Sequence, residues 1–220
     1  MQTFFESELD KLRKRLVKMF SLVESQLDKS FRVLLKGDKD FVEIIRQDKN
    51  KIDKLDIKID KLCQRIFALT QPVASDLRFI MASLRIGNEM ERISDMTYEI
   101  TSRSETVSQY HKILKVYDIP DLLESIKKSF SQIIESFNNG NSELAFQIIK
   151  DCETLNNKCK KIFKEIVSDM TKKSDVIVIA TDLILIIRNL ERIIGHIENI
   201  AESVIFIIDA KIVRHPKLHF

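Results

Sequence analysis

Apolar residues return every three or four positions along most of this 220-residue chain, and the run is interrupted at only a few places. From about Thr3 to Leu35, Phe5, Leu9, Leu12, Leu16, Val23, Leu27, Phe31 and Leu34 keep a helical period with charged residues between them. Gly37-Asp38 ends this first helix. From about Asp40 to Leu69, Ile45, Ile52, Leu55, Ile59, Leu62, Ile66 and Leu69 step by seven, three and four, the seam of a helix that meets its neighbours at shallow angles. Thr70-Gln71 turns the chain into a long third helix over 71–100. Pro72 suits its first turn, where the missing N–H has no intrahelical partner, and Val73, Leu77, Ile80 and Leu84 are expected to face the core. Beyond Gly87 the apolar stripe moves to Ile86, Met90, Ile93 and Ile100.

Residues 105–117 are more polar, and Pro120 marks a restart. A fourth helix follows on Ile119, Leu122, Ile126, Phe130, Ile133 and Phe137, and Asn138-Asn139-Gly140-Asn141 breaks it. The fifth runs from Leu144 to about Met170 and the sixth from Asp175 to about Ala210. Gly37, Ile45, Asp48 and Ile52 recur 103 residues later as Gly140, Ile148, Asp151 and Leu155, and Glu91-Arg92-Ile93 recurs 100 residues later as Glu191-Arg192-Ile193. This is an internal duplication with a small gap. The expectation is an all-α chain of six helices in two tandem three-helix bundles, 1–117 and 118–220, set end to end about a pseudo-twofold relation.

Composition supports the helices and narrows the partners. Four glycines and three prolines leave little material for hairpin turns. The net charge is only +3, with lysines and acids interleaved, so no field argues for nucleic acid. Asp182, Arg188, Glu191, Arg192, Glu198 and Glu202 interrupt the apolar sixth helix too often for a bilayer span. The first ten residues carry acids and no basic-then-apolar run, so a cytoplasmic location is expected. Cys152 and Cys159 lie seven apart, about 10 Å along a helix and too far for a disulfide. With Cys63 they read as free thiols packed as small hydrophobes.

Glu91 and Asp95 lie one turn apart on the same helical face, where two carboxylates repel unless a cation joins them. Arg92 softens that face. No glycine-rich phosphate loop, nucleophile elbow or triad pattern is present, and His196, five residues after Glu191, does not make the Glu-x-x-His pair of di-metal helical enzymes.

The run Gln71-Pro72-Val73-Ala74-Ser75-Asp76-Leu77-Arg78, then Glu91-Arg92-Ile93-Ser94-Asp95, the second Glu191-Arg192-Ile193, His196, Asn199-Ile200-Ala201-Glu202 and a terminal Arg214-His215 resemble the PhoU family of bacterial phosphate-signalling regulators. The resemblance spans nearly the full length, with two copies at the right separation. It implies six helices in two similar bundles, and a regulatory adaptor that acts with the Pst phosphate transporter's ATPase subunit and a PhoR-type sensor kinase to repress phosphate-starvation genes and phosphate uptake. A second copy of the chain, forming a homodimer, is a further expected partner.

Some family members bind multinuclear metal clusters through paired acids on adjacent helices. Carried over residue by residue, Glu91 and Asp95 match on the third helix, whereas the pair on the second helix falls on Lys49 and Asp53. In the second repeat the equivalents are Cys152, Asn156, Glu191 and Gly195. The expected metal ligands are therefore Asp53, Glu91, Asp95 and Glu191, with iron, manganese, magnesium, calcium or zinc as the ion and the first repeat as the place. The alternative is a surface charge network of Asp53, Lys49, Arg92 and Glu91. Arg92 and Arg192 are expected either to dock a partner or to form salt bridges within their bundles. The rival to the adaptor is a carboxylate-based metal-binding or metal-storage helical protein.

Overall fold

The computed structural model describes residues 4–172 and 177–213. The expected start of the last long helix at Asp175, and Arg214-His215, lie outside the described residues. Seven helices are present among the described residues: α1 (Phe4–Lys36), α2 (Asp40–Leu69), α3 (Ala74–Val107), α4 (His111–Val116), α5 (Ile119–Asn139), α6 (Ser142–Lys172) and α7 (Ile177–Asp209), with a 3-10 turn at Ser108–Tyr110. No strand occurs among the described residues. The short α4 occupies the stretch that the sequence marks only as polar.

The breaks fall where the chain needs them. Gly37 (φ +69°) and Gly140 (φ +64°) take the left-handed conformation that closes a helix, each one residue after α1 or α5 ends. Asp118 (φ +51°) caps α5, with Pro120 in its first turn. Pro72, by contrast, precedes α3, whose flanking residue is the extended Val73.

α1, α2 and α3 pack together, as do α5, α6 and α7. The most extensive contact in the molecule joins the two sets: α3 lies along α7, and α1 touches α5. The bundles therefore sit side by side through their last long helices, not end to end. Side chains from both sets share one continuous apolar core. Between α1 and α5, Phe20 packs against Phe130 and Phe137 with ring centroids 6.1 and 5.3 Å away, and Lys127 pairs with Asp28 at 2.7 Å.

The register of α3 on α7 makes the duplication visible in space. Asn199 donates to Glu89 at 3.1 Å, and Asn189 donates to Glu99 at 3.1 Å. Since residues 89 and 99 correspond to 189 and 199, these are one contact seen from its two ends. A pseudo-twofold axis thus runs between the helices.

The core face of α3 keeps the expected Ile80, Ile86, Met90, Ile93 and Ile100 and departs from expectation at its start. Val73 is 69 % exposed and Leu77 is exposed as well, whereas Phe79, Ile80, Ser83, Ile86, Met90, Ile93 and Ile100 are buried. Polar residues share that face: Ser83, Thr97, Thr101 and Ser104 are buried, each hydroxyl donating to the carbonyl four residues earlier at 2.7–2.9 Å. Ser30 of α1 also donates to the Thr97 carbonyl at 3.1 Å, so the helices are joined by hydroxyls as well as by apolar contact.

Candidate functional site

The site is built where α2 runs against α3. On α2, Lys49, Asp53, Asp56 and Asp60 follow at helical spacing, and on α3 Glu91 and Asp95 stand one turn apart. Because the two helices meet near residue 70 and run back antiparallel, Asp53 comes level with Glu91 and Asp95. One carboxylate oxygen from each of Asp53, Glu91 and Asp95 lies within 4.8 Å of the others, and all three residues are half-buried. Gly87 keeps this approach close, because a methyl there would stand 3.1 Å from an Asp56 carboxylate oxygen.

Lys49 sits among these acids. Its Nζ is 3.1 Å from Asp53 and 2.7 Å from Asp95, and its side chain is 26 % exposed. Burial opposes the ammonium charge, but its hydrogen bonding and ion pairing to Asp95 and Asp53 outweigh that and raise the lysine's pKa. Arg92 stands 3.6 Å from Glu91 and is half exposed. Glu91 stays above the usual carboxylate range, first because it is buried and then because Asp95, Asp53 and Asp56 repel it; Arg92 only partly offsets this. Asp56 is raised as well, by burial and then by Asp60 and Asp53. Three hard oxygen donors at this separation are the kind a single magnesium, calcium, manganese or iron ion takes, but here the Lys49 ammonium already stands against two of them.

The fourth expected ligand stands apart. Glu191 lies on α7 and accepts from Arg188 at 2.7 Å, and that guanidinium also covers the ring of Phe163 at 4.4 Å. On the facing α6, Cys152 and Cys159 are fully buried, and burial pushes both thiols up to about 12. Asn156 is half-buried, and the space beside Gly195 is open. The oxygen donors of the first repeat are thus not reproduced in the second. Arg92 stands beside Glu91 on its own helix and also acts electrostatically on Asp56 of α2, and Arg192 is exposed.

One polar constellation is not foreshadowed by the sequence. At the α3–α7 seam, His196 Nδ1 donates to Glu89 at 2.5 Å, beside the Asn199 contact, and farther along Arg103 pairs with Asp182 at 3.3 Å. These groups are 79–110 residues apart in the chain, and only the antiparallel register brings them together. His196 is therefore bound between the repeats and is not among the clustered ligands.

No helix among the described residues is long and apolar enough to cross a membrane. A family model described as the PhoU domain matches the chain twice, over residues 16–104 and 119–204. The chain is 28 % identical over 212 residues to the phosphate-specific transport system accessory protein PhoU homolog of Pseudomonas aeruginosa, covering 96 % of this chain and 88 % of that protein. It is 27 % identical over 213 residues to the phosphate-specific transport system accessory protein PhoU of Escherichia coli K12, with the same coverage. The crystal structure of PhoU from Pseudomonas aeruginosa superposes with a TM-score of 0.88 at 26 % identity, over 94 % of this chain and all of that one. A phosphate transport regulatory protein PhoU from Streptococcus pneumoniae shares the fold, with a TM-score of 0.85 at 23 % identity, over 96 % of this chain and all of that one. With both halves matched by the same domain model and the whole fold shared, this chain belongs to the PhoU family.

Proposed function

We propose that the chain is a regulatory adaptor of phosphate homeostasis in the cytoplasm. It acts by contact with the Pst transporter's ATPase subunit and with a PhoR-type sensor kinase, represses phosphate-starvation genes and uptake when phosphate is plentiful, and works as a homodimer without catalysing a reaction. The observation that carries this reading is the match of both repeats, across nearly the whole chain, to proteins named accessory proteins of the phosphate-specific transport system. Arg92 and Arg192, at matching positions on α3 and α7 and both exposed, supply two similar docking points for two partners.

The test is co-purification with the ATPase subunit and with the kinase's cytoplasmic part, alongside starvation-gene expression at high phosphate with and without the gene. Binding to both and derepression on deletion are expected. Failure to bind either, with unchanged expression, refutes the adaptor. A second reading, a carboxylate-based metal-binding or metal-storage protein, is favoured by the convergence of Asp53, Glu91 and Asp95. Its test is metal analysis of protein purified without chelator.

A further inference from the structure

We propose that Lys49 is a built-in cation, a tethered ammonium that does at the Asp53–Glu91–Asp95 cluster what a metal ion would do, so that this cluster closes without metal.

The geometry comes first. Three carboxylates from two helices converge within 4.8 Å, and such a group repels itself unless a cation or a shared proton joins it. The ammonium supplies it from inside the cluster, bridging α2 to α3 through Asp53 at 3.1 Å and Asp95 at 2.7 Å. An ammonium carries three donors and a compact charge, which suits two carboxylates at these distances. A metal bound by the same oxygens must first displace it, and the freed ammonium would then stand beside a cation of its own sign.

The second repeat supplies an internal comparison. Lys49, Asp53, Glu91 and Asp95 correspond to Cys152, Asn156, Glu191 and Gly195. Where the lysine is absent, two of the three carboxylates are absent with it. The one that remains, Glu191, is paired with Arg188, whose counterpart in the first repeat is the uncharged Asn88. Each repeat therefore matches its own carboxylates with its own side-chain cation, drawn from different helices.

The experiment uses the full chain purified without chelator, with manganese as the probe. Metal content is measured by plasma mass spectrometry, and melting is followed with added Mn²⁺ or EDTA for wild type, Lys49→Met, Lys49→Glu and Lys49→Arg. Wild type is expected to carry far less than one ion per chain and to melt at the same temperature under all conditions. Lys49→Met should melt lower and recover with Mn²⁺, Lys49→Glu should bind about one Mn²⁺ per chain, as expected for a cluster of freed oxygen donors, and Lys49→Arg should behave as wild type. Wild type holding one equivalent of metal, with a melting point that falls on its removal, overturns the proposal. So does a folded Lys49→Met or Lys49→Glu protein that gains no Mn²⁺ affinity. If neither folds, the wild-type measurement and Lys49→Arg decide: metal in wild type, or Mn²⁺-dependent melting of the arginine variant, overturns the proposal, and metal-free, Mn²⁺-insensitive behaviour of both upholds it.

Discussion

Gly87 and Gly195 occupy the interiors of α3 and α7, and replacing each with alanine separates helix propensity from packing. Alanine in a helix interior is favoured over glycine by about 0.8–1 kcal/mol. At Gly195 a new methyl meets nothing within 4 Å, so the whole gain should appear. For a chain of this size that is about 2–4 °C in Tm. At Gly87 the same methyl would lie 3.1 Å from an Asp56 carboxylate oxygen and 3.6 Å from Ile59 Cγ2. The carboxylate must retreat by a few tenths of an ångström inside a cluster where it is already repelled by Asp60 and Asp53. That offsets the propensity gain, and the Gly87→Ala protein should be no more stable than wild type. Urea unfolding followed by far-UV circular dichroism measures both variants against wild type. Equal stabilisation by the two substitutions would refute the close α2–α3 approach, and destabilisation by Gly195→Ala would refute the open space on α7.

Phe20→Ala removes a fully buried ring that ties α1 to Phe130 and Phe137 of α5, and should cost about 3–5 kcal/mol in urea unfolding. Glu91→Gln should raise Tm at neutral pH, because the folded protein holds this carboxyl above its ordinary value. Its protonated form is the one the fold favours, so the advantage of glutamine should shrink as pH falls through the raised value towards the ordinary carboxylate range, which melting curves across that range will read. Asp48 behaves oppositely. Burial opposes its ionisation, but hydrogen bonds from Lys29 and Lys51 outweigh it and lower its pKa, so its stabilisation is present above the ordinary aspartate value and lost as pH falls through the lowered one; Asp48→Asn should destabilise by about 2 kcal/mol at neutral pH and much less in acid. Cys63, Cys152 and Cys159 are fully buried with thiols held near 12, so a thiol reagent at mildly alkaline pH should modify them only as fast as the protein opens.

The long helices were legible because glycine and proline are scarce and apolar residues recur at one period; α2, α5 and α6 begin and end within two residues of the expected places. The apolar positions of α3 from Ile80 onward were legible too, but its start and its buried hydroxyls were not, and the reason is specific. Ser83, Thr97, Thr101 and Ser104 satisfy their hydroxyls on their own helix, so polarity there no longer marks exposure, and Val73 and Leu77 attract an assignment to the core that the packing does not give them. The acidic pair Glu91 and Asp95 could be read from spacing, whereas Asp53 is given by the family resemblance and agrees with the distance of both helices to their shared turn. That the Lys49 ammonium reaches Asp95 across two helices depends on rotation of α2 about its axis, which spacing does not determine. The Glu89–His196–Asn199 contact depends on the register of helices a hundred residues apart, and no local pattern carries that information.

The twinned contacts Glu89–Asn199 and Glu99–Asn189 bear on how this molecule can change over generations. In an assembly of two identical chains every substitution is made twice, so a change useful on one side is imposed on the other. Joining the two copies in one polypeptide ends that obligation while the fold keeps its symmetry. Along the same seam Arg103 meets Asp182 at one end, whereas the counterpart positions at the other end are Ser203 and Ala82, and His196 has Met96 as its twin. The acidic corner beside Lys49 and the thiol-lined corner beside Glu191 are likewise two descendants of one position, each able to drift alone.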